Sequence, residues 1–238
     1  MSSGIQTRAD LLDLAERLGR PAGEVEQDFL LVQIAAQLQQ DFPNQLCFKG
    51  GFVLRHAYGV DRMSVDIDAT RQQPPKHKLD EGEVADSIQG AGKPLFKVRR
   101  PEAATNSKQS LDFDAIGFHG PISSKGQVAV EVSYREELCL APIPLAIGPP
   151  YINAVIVPTM APEEMLAEKY RTLCQRQRPT DILDAAWLWS GTAGPMRSGD
   201  VAALILLSTG FMPPLVSMVQ CFAVSTVFWS MRVAVQSM

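Results

Sequence analysis

Apolar positions follow a helical period near the N-terminus and a strand period through the middle of the chain. Leu11, Leu12, Leu14, Ala15 and Leu18 recur every three to four residues, predicting a helix over Thr7–Leu18. Gly19-Arg20-Pro21 breaks it, and Pro21 opens a second helix to about Gln40. That helix has a broad apolar face of Val25, Phe29, Leu30, Val32, Ile34, Ala35 and Leu38, the mark of a core element. Pro43-Asn44 turns the chain into a short strand, Leu46–Phe48, followed by a helix over Phe52–Tyr58 and a strand over Ser64–Asp68. A polar loop with tandem prolines, RQQPPKHK, separates these from a helix over Leu79–Ile88. Strand-like runs follow at Leu95–Val98, Leu111–Phe118 and Gln127–Ser133, the first two joined by a polar loop, Arg99–Gln109. Pro142, Pro144, Pro149 and Pro150 predict an extended crossover, Ala154–Val157 a last short strand, and Pro158–Pro162 a hinge. Two helices complete the pattern. Glu163–Gln175 is predicted to turn Met165, Leu166, Tyr170 and Leu173 inward, and Thr180–Trp189 to turn Ile182, Leu183, Ala186 and Trp187 inward.

The order of elements predicts an α/β fold, a mixed sheet flanked by helices with a smaller helical C-terminal part. The predicted divisions are 1–158, 159–200 and an apolar tail, 201–238. No charged residue occurs from Val201 to Met231, but Gly210 and Pro213-Pro214 cut the run into pieces short for a membrane span, so no stable span is predicted. A hydrophobic content of 46% with 20% charged residues is that of an ordinary globular protein. The net charge of −4 gives no global attraction to nucleic acid, so an RNA partner would need a local basic patch. The 4 cysteines form no C-x-x-C pair, and with only 3 histidines a structural zinc site is not expected. A reducing, cytoplasmic location is the simplest reading of that cysteine usage, and the N-terminus carries no signal-peptide pattern.

The chemistry concentrates in Leu46–Thr70. Asp66 and Asp68 alternate along a strand, so both carboxylates take one face with Cα atoms roughly 6.5 Å apart. That spacing suits two hard cations ~3.5–4 Å apart, as in two-metal phosphoryl transfer. Gly50-Gly51 before a helix lets backbone N–H groups approach a phosphate at a helix N-terminus. In Val128–Val132 the valines take one face, leaving Glu131 on the other as a candidate third carboxylate. It could assist in drawing a proton from an attacking hydroxyl. Asp112 and Asp114 form a second D-x-D without a glycine turn and are read as an exposed face. Further on, Lys169 and the Arg171/Arg176/Arg178 cluster supply positive charge of the kind a triphosphate requires, and Asp181 sits in the first turn of its helix.

Lys49-Gly50-Gly51, Leu54, Tyr58-Gly59 and Ser64-Val65-Asp66-Ile67-Asp68, in that order, resemble the core motif of the AbiEii/AbiGii toxin nucleotidyltransferases of the DNA polymerase beta-like superfamily. Glu168-Lys169 and the segment Arg176–Asp184 resemble a second motif of that family. The chain departs from the pattern at Phe52, where a small hydroxyl residue is usual, and at Arg178-Pro179-Thr180-Asp181, where the usual Arg-Asp is interrupted. The resemblance implies a polymerase beta-like fold and transfer of a nucleoside monophosphate from an NTP. It implies two Mg²⁺ (or Mn²⁺) on Asp66, Asp68 and Glu131, and nucleotide contacts from Lys49, Gly50, Gly51, Ser64 and Arg178. Lys169 would neutralise developing charge and Asp181 would hold the basic cluster. The implied biology is a bacterial toxin–antitoxin or phage-defence pair with a cognate antitoxin and RNA, such as tRNA, as acceptor. Two alternatives stay open: nucleotidylation of a protein, and a degenerate member that binds a nucleotide or partner without catalysis.

Overall fold

The computed structural model describes residues 5–72, 78–122, 125–135, 137–176 and 178–190. The centre of the tandem-proline loop (73–77) and the apolar tail (201–238) therefore lie outside the described residues. The described residues form α1 (Arg8–Leu18), α2 (Ala22–Asp41), β1 (Leu46–Lys49), α3 (Gly50–His56), β2 (Asp66–Arg71) and α4 (Glu81–Gly90). Then come β3 (Lys97–Val98), β4 (Thr105–Asn106), β5 (Ser110–His119), β6 (Gly126–Ser133), β7 (Ile143–Ile147), β8 (Val155–Thr159), α5 (Pro162–Gln175) and α6 (Pro179–Trp189). Two compact units emerge, Met1–Leu138 with Pro142–Met160, and Cys139–Ala141 with Ala161–Met238.

The first unit is built on a mixed sheet of order β3-β5-β6-β2-β1-β8-β7, with β4 paired to β5. β1 and β2 are antiparallel, β2 and β6 parallel, and β5 and β6 antiparallel with a bulge between Phe113 and Ile116. The core face of these strands carries Ile67, Ala69, Leu111, Phe113, Val128, Val130 and Val132, all buried. α2 has Phe29, Leu30, Leu31, Ile34 and Leu38 fully buried in the same unit. Each of these large side chains contributes roughly 1.5–3 kcal/mol on leaving water. Local signals set the helix starts. The Thr7 hydroxyl accepts from the Asp10 N–H, and the Asp10 carboxylate accepts from the Thr7 N–H, closing a capping box on α1. At α4 the Asp80 carboxylate accepts from the Glu83 N–H, a one-way N-cap.

The fold departs from the sequence pattern in five places. The proline-rich crossover contains a strand, β7, paired antiparallel with β8; Pro144 is tolerated because β7 is the edge of the sheet. β2 starts at Asp66 rather than Ser64 and runs on to Arg71, since its pairing with β1 and β6 continues past the acids. A two-residue strand, β4, forms within the polar loop Arg99–Gln109. Pro158 belongs to β8 and Pro162 opens α5, so the units divide between Met160 and Ala161. The last correction concerns α6 in the second unit. Ile182 and Leu183, predicted inward, are 39% and 62% exposed, whereas Asp181, Asp184, Ala185 and Leu188 are buried. In the same unit Met165 and Leu166 of α5 are buried, and Glu164 turns inward to accept from the Cys139 and Leu140 N–H groups at 2.8 and 3.2 Å.

Candidate active site

The strand register assembles the predicted acids. Lys49 lies opposite Asp68, Asp68 beside Glu131, and Glu131 opposite Asp112, a single row across β1, β2, β6 and β5. Directly paired residues share a face, and alternation adds Asp66 to it. The row therefore presents one lysine and three carboxylates on the face opposite the valine core, with Asp66 one pleat along. Asp112, expected to be an exposed face residue, is instead half-buried: Ser110 Oγ donates to its Oδ2 at 2.9 Å, and its Oδ1 is enclosed without a hydrogen-bond partner.

The glycine turn is shaped around these groups. Gly50 has φ +72°, a conformation in which other residues are strained, and a Cβ there would collide with Asp68 Oδ2. A Cβ on Gly51 would collide with Arg62 Nη2 and stand 3.2 Å from Ser64 Oγ. Ser64 is buried, and its hydroxyl donates towards Asp66 Oδ1 at 3.1 Å and the Asp66 carbonyl at 3.2 Å. The missing side chains thus leave space for a carboxylate on one glycine and a guanidinium on the next. Arg62 escaped the sequence reading. The signal was there: 62, 64, 66 and 68 continue one alternation, Arg-x-Ser-x-Asp-x-Asp. Phe52 does not enter this turn; its buried ring packs on His56 at 4.7 Å and Phe48 at 6.3 Å between centroids.

Asp66 and Asp68 offer hard oxygen donors of the type divalent cations such as Mg²⁺ take. Glu131 is engaged differently: Arg135 Nη2 donates to its Oε1 at 3.0 Å, with both side chains about half exposed (50% and 44%). Among the described residues, no three His, Cys, Asp or Glu side chains are gathered closely enough to hold a metal ion. The donor set fits a divalent cation through Asp66 and Asp68. To act as a third donor, Glu131 would first have to leave its surface pair with Arg135, a pair worth about 0–1 kcal/mol.

Behind α3 lies a buried polar cluster. Asp28 of α2 is fully buried and accepts from Arg55 Nε at 2.7 Å and from the Tyr151 hydroxyl; His56 Nε2 lies 3.0 Å from its second oxygen. Burial alone would raise the Asp28 pKa, but His56, Tyr151 and Arg55 outweigh it and hold the carboxyl below its ordinary value. Arg55 and His56 occupy the last turn of the helix that begins at Gly50-Gly51, so this cluster fixes the far end of the glycine helix.

In the second unit, Lys169 Nζ lies 3.0 Å from Asp181 Oδ1 and 2.8 Å from Asp184 Oδ2, and Arg176 Nε donates to Asp181 at 3.2 Å. Burial would lower the lysine pKa, but Asp184 and Asp181 raise it above the ordinary lysine value, so the ammonium stays charged. Asp181 is shifted the other way: burial opposes ionisation, but Lys169 and Arg176 hold its carboxyl low. This explains the corrected face of α6, which turns two acids inward because a partly buried ammonium pairs with them. Arg178 is exposed and supplies the backbone cap of α6; Arg176 rather than Arg178 reaches Asp181. Asp184 was not singled out from the sequence as a site residue, though it lies within the motif segment.

The profile of the nucleotidyl transferase AbiEii toxins, type IV toxin–antitoxin system, matches residues 10–216. The chain belongs to the AbiEii family. Membership makes it a nucleotidyltransferase of the toxin–antitoxin class and implies an NTP substrate and a cognate antitoxin. Among solved structures, the AbiEii-family chain is similar to MenT4, a nucleotidyltransferase toxin from Mycobacterium tuberculosis H37Rv, at TM-score 0.65 and 22% identity, covering 86% of this chain and 70% of that one. It is also similar to JHP933 from Helicobacter pylori, at TM-score 0.57 and 12% identity, covering 90% and 95%. At these identities the likeness is one of fold. No curated protein sequence matches the chain. Among the described residues, no helix is long and apolar enough to cross a membrane.

Proposed function

We propose that this AbiEii-family enzyme transfers a nucleoside monophosphate from an NTP to a hydroxyl group of RNA, tRNA being the foremost candidate. The observation that carries the reading is the row Lys49–Asp68–Glu131 on one sheet face, with Asp66 and a glycine turn beside it. Asp66 and Asp68 would hold the divalent metal, with Glu131 as the third carboxylate. When bound, the metal supplies positive charge for the phosphoryl oxygens and the departing pyrophosphate. The backbone of Gly50 and Gly51, with Lys49, Ser64 and Arg62, orients the β- and γ-phosphates. Glu131 orients the acceptor hydroxyl and takes its proton. The acceptor oxygen forms a bond to the α-phosphorus as the bond from that phosphorus to the β-phosphate oxygen breaks, and pyrophosphate leaves. Within the second unit, Lys169 is kept charged across the physiological range by Asp184 and Asp181.

The test is transfer of α-³²P label from each of the four NTPs, with Mg²⁺, into total cellular RNA and protein, beside an Asp66→Ala/Asp68→Ala variant. Label in RNA that disappears in the variant supports the reading and names the nucleotide. Label confined to protein moves the acceptor to a polypeptide. No acid-dependent label from folded protein would leave only nucleotide or partner binding.

A further inference from the structure

The turn between α3 and β2 carries an acid and a base side by side, Asp61-Arg62, and both fold back onto α3. The main chain before them is tied to the end of that helix. The Tyr58, Gly59 and Val60 N–H groups donate to the Val53, Arg55 and Leu54 carbonyls at 3.3, 3.0 and 2.9 Å. Asp61 Oδ1 then lies 3.9 Å from Arg55 Nη1, while a Cβ added to Gly51 would collide with Arg62 Nη2. Gly51 and Arg55 are four residues apart in α3, so they share one helix face, one turn of about 5.4 Å apart. Neighbouring residues of the turn therefore meet neighbouring turns of the helix, and the place of Asp61 sets the place of Arg62.

Arg55 is the fixed member of this arrangement. Its side chain is 14% exposed, and its Nε donates to the fully buried Asp28 at 2.7 Å. Asp28 also accepts from the Tyr151 hydroxyl and lies 3.0 Å from His56 Nε2. The guanidinium cannot swing away without leaving a buried carboxylate short of its cation. Its planar fork faces both acids, Nε on Asp28 and Nη1 towards Asp61. The series Asp28–Arg55–Asp61 thus runs from the interior to the surface, and its last member is one peptide bond from Arg62.

Stability does not account for Asp61. Its side chain is 83% exposed, although it also accepts from Arg20 Nη2 at 2.6 Å, and ion pairs so open to solvent contribute little to folding. What two arginines on one carboxylate do fix is where the turn lies. Arg62 gains from that. A long side chain that enters a phosphate site from a loose loop loses rotamer freedom on binding, and affinity falls with it. Here the backbone is set beforehand, Arg62 Nη1 donates to the Met63 carbonyl at 3.3 Å, and Ser64 Oγ borders the same space over Gly51.

We infer, resting on the transferase reading above, that Arg55 and Asp61 are positioning residues for the triphosphate: they hold Arg62 across Gly51, and Arg62 contacts the phosphates. The sign of the effect separates this from simple electrostatics. Asp61 is a negative charge beside an anion site, so by Coulomb attraction its removal tightens phosphate binding, whereas by loss of positioning its removal weakens it. The experiment is calorimetric titration of inorganic tripolyphosphate, with Mg²⁺, into the full chain. Wild type is compared with Asp61→Ala, Asp61→Asn, Arg55→Lys and Arg62→Ala. Asp61→Ala leaves the buried Asp28–Arg55 pair whole and should keep the wild-type Tm. Arg55→Lys keeps a charge beside Asp28 but cannot serve two acids at once. Arg62→Ala should weaken binding by about tenfold or more, and Asp61→Ala and Arg55→Lys by about three- to tenfold, a part of that loss. Asp61→Asn still accepts hydrogen bonds and should fall between Asp61→Ala and wild type. In the transfer assay the KM for the NTP should rise by more than kcat falls. Affinity equal to or above wild type in folded Asp61→Ala overturns the inference, as does unchanged affinity in Arg62→Ala or no binding by wild type. The expected binding pattern without acid-dependent transfer from any NTP would instead overturn the transferase reading and leave a positioned phosphate site.

Discussion

Substituting alanine at the two adjacent glycines, Gly50 and Gly51, should give sharply different results. At Gly50 the backbone is left-handed, at φ +72°, and the new Cβ would collide with Asp68 Oδ2. The conformation costs about 1–2 kcal/mol for an alanine, and forcing Asp68 from its rotamer adds about 0.5–1.5 kcal/mol. A loss of about 1.5–3.5 kcal/mol follows, which for a chain of this size lowers Tm by about 3–14 °C. At Gly51 no left-handed backbone is imposed, and the atom in the way is the mobile end of Arg62. Alanine also favours the helix by up to about 1 kcal/mol, so Gly51→Ala should stay within about 1 kcal/mol of wild type. Activity should part along another line. Gly50→Ala displaces a proposed metal-binding carboxylate and should lower kcat by about 100-fold, whereas Gly51→Ala displaces Arg62 and should chiefly raise the KM for the NTP. Unfolding should be followed by far-UV circular dichroism, because the described residues of the first unit contain no tryptophan. Wild-type stability in Gly50→Ala, or equal losses in the two variants, would refute the reasoning.

Two further predictions concern charge. Asp28→Asn removes the carboxylate shared by Arg55, His56 and Tyr151 and should cost about 3–5 kcal/mol in urea unfolding at neutral pH. Because the folded state holds the Asp28 carboxyl below its ordinary value of 3.8, its contribution is complete above that value and lost as the pH falls through and below it. The deficit of the variant should therefore shrink in acid; a deficit independent of pH would count against a charged Asp28. Arg135→Ala should change stability by less than about 1 kcal/mol, since the pair with Glu131 is about half exposed (50% and 44%). By removing the guanidinium that competes for the Glu131 carboxylate it should tighten Mn²⁺ binding in a calorimetric titration, and unchanged affinity would argue that Glu131 is not a metal ligand.

The motif that governs the first unit was legible in the sequence because its determinants are local. Strand alternation put Asp66 and Asp68 on one face, and a glycine pair before a helix specified a turn that larger residues would strain. Capping by Thr7 and a proline at the first position of α6 located two helix starts. The hidden strand β7 shows the limit: prolines argue against a strand interior, and only its place at the sheet edge removes the objection.

What the tertiary structure alone decided is which distant residues share a face and which buried charges find a partner. Glu131 stands beside Asp68 because β2 and β6 pair in parallel, and Asp112 joins the row because β5 pairs with β6 in that register; no sequence period encodes either choice. The inward face of α6 inverted the hydrophobic pattern for the same kind of reason. Ile182 and Leu183 are the apolar choice for a core, yet Asp181 and Asp184 are buried, because Lys169 on another helix neutralises them. Periodicity reports the cost of moving each side chain from water by itself, whereas burial of a charge depends on a partner that the chain supplies from elsewhere.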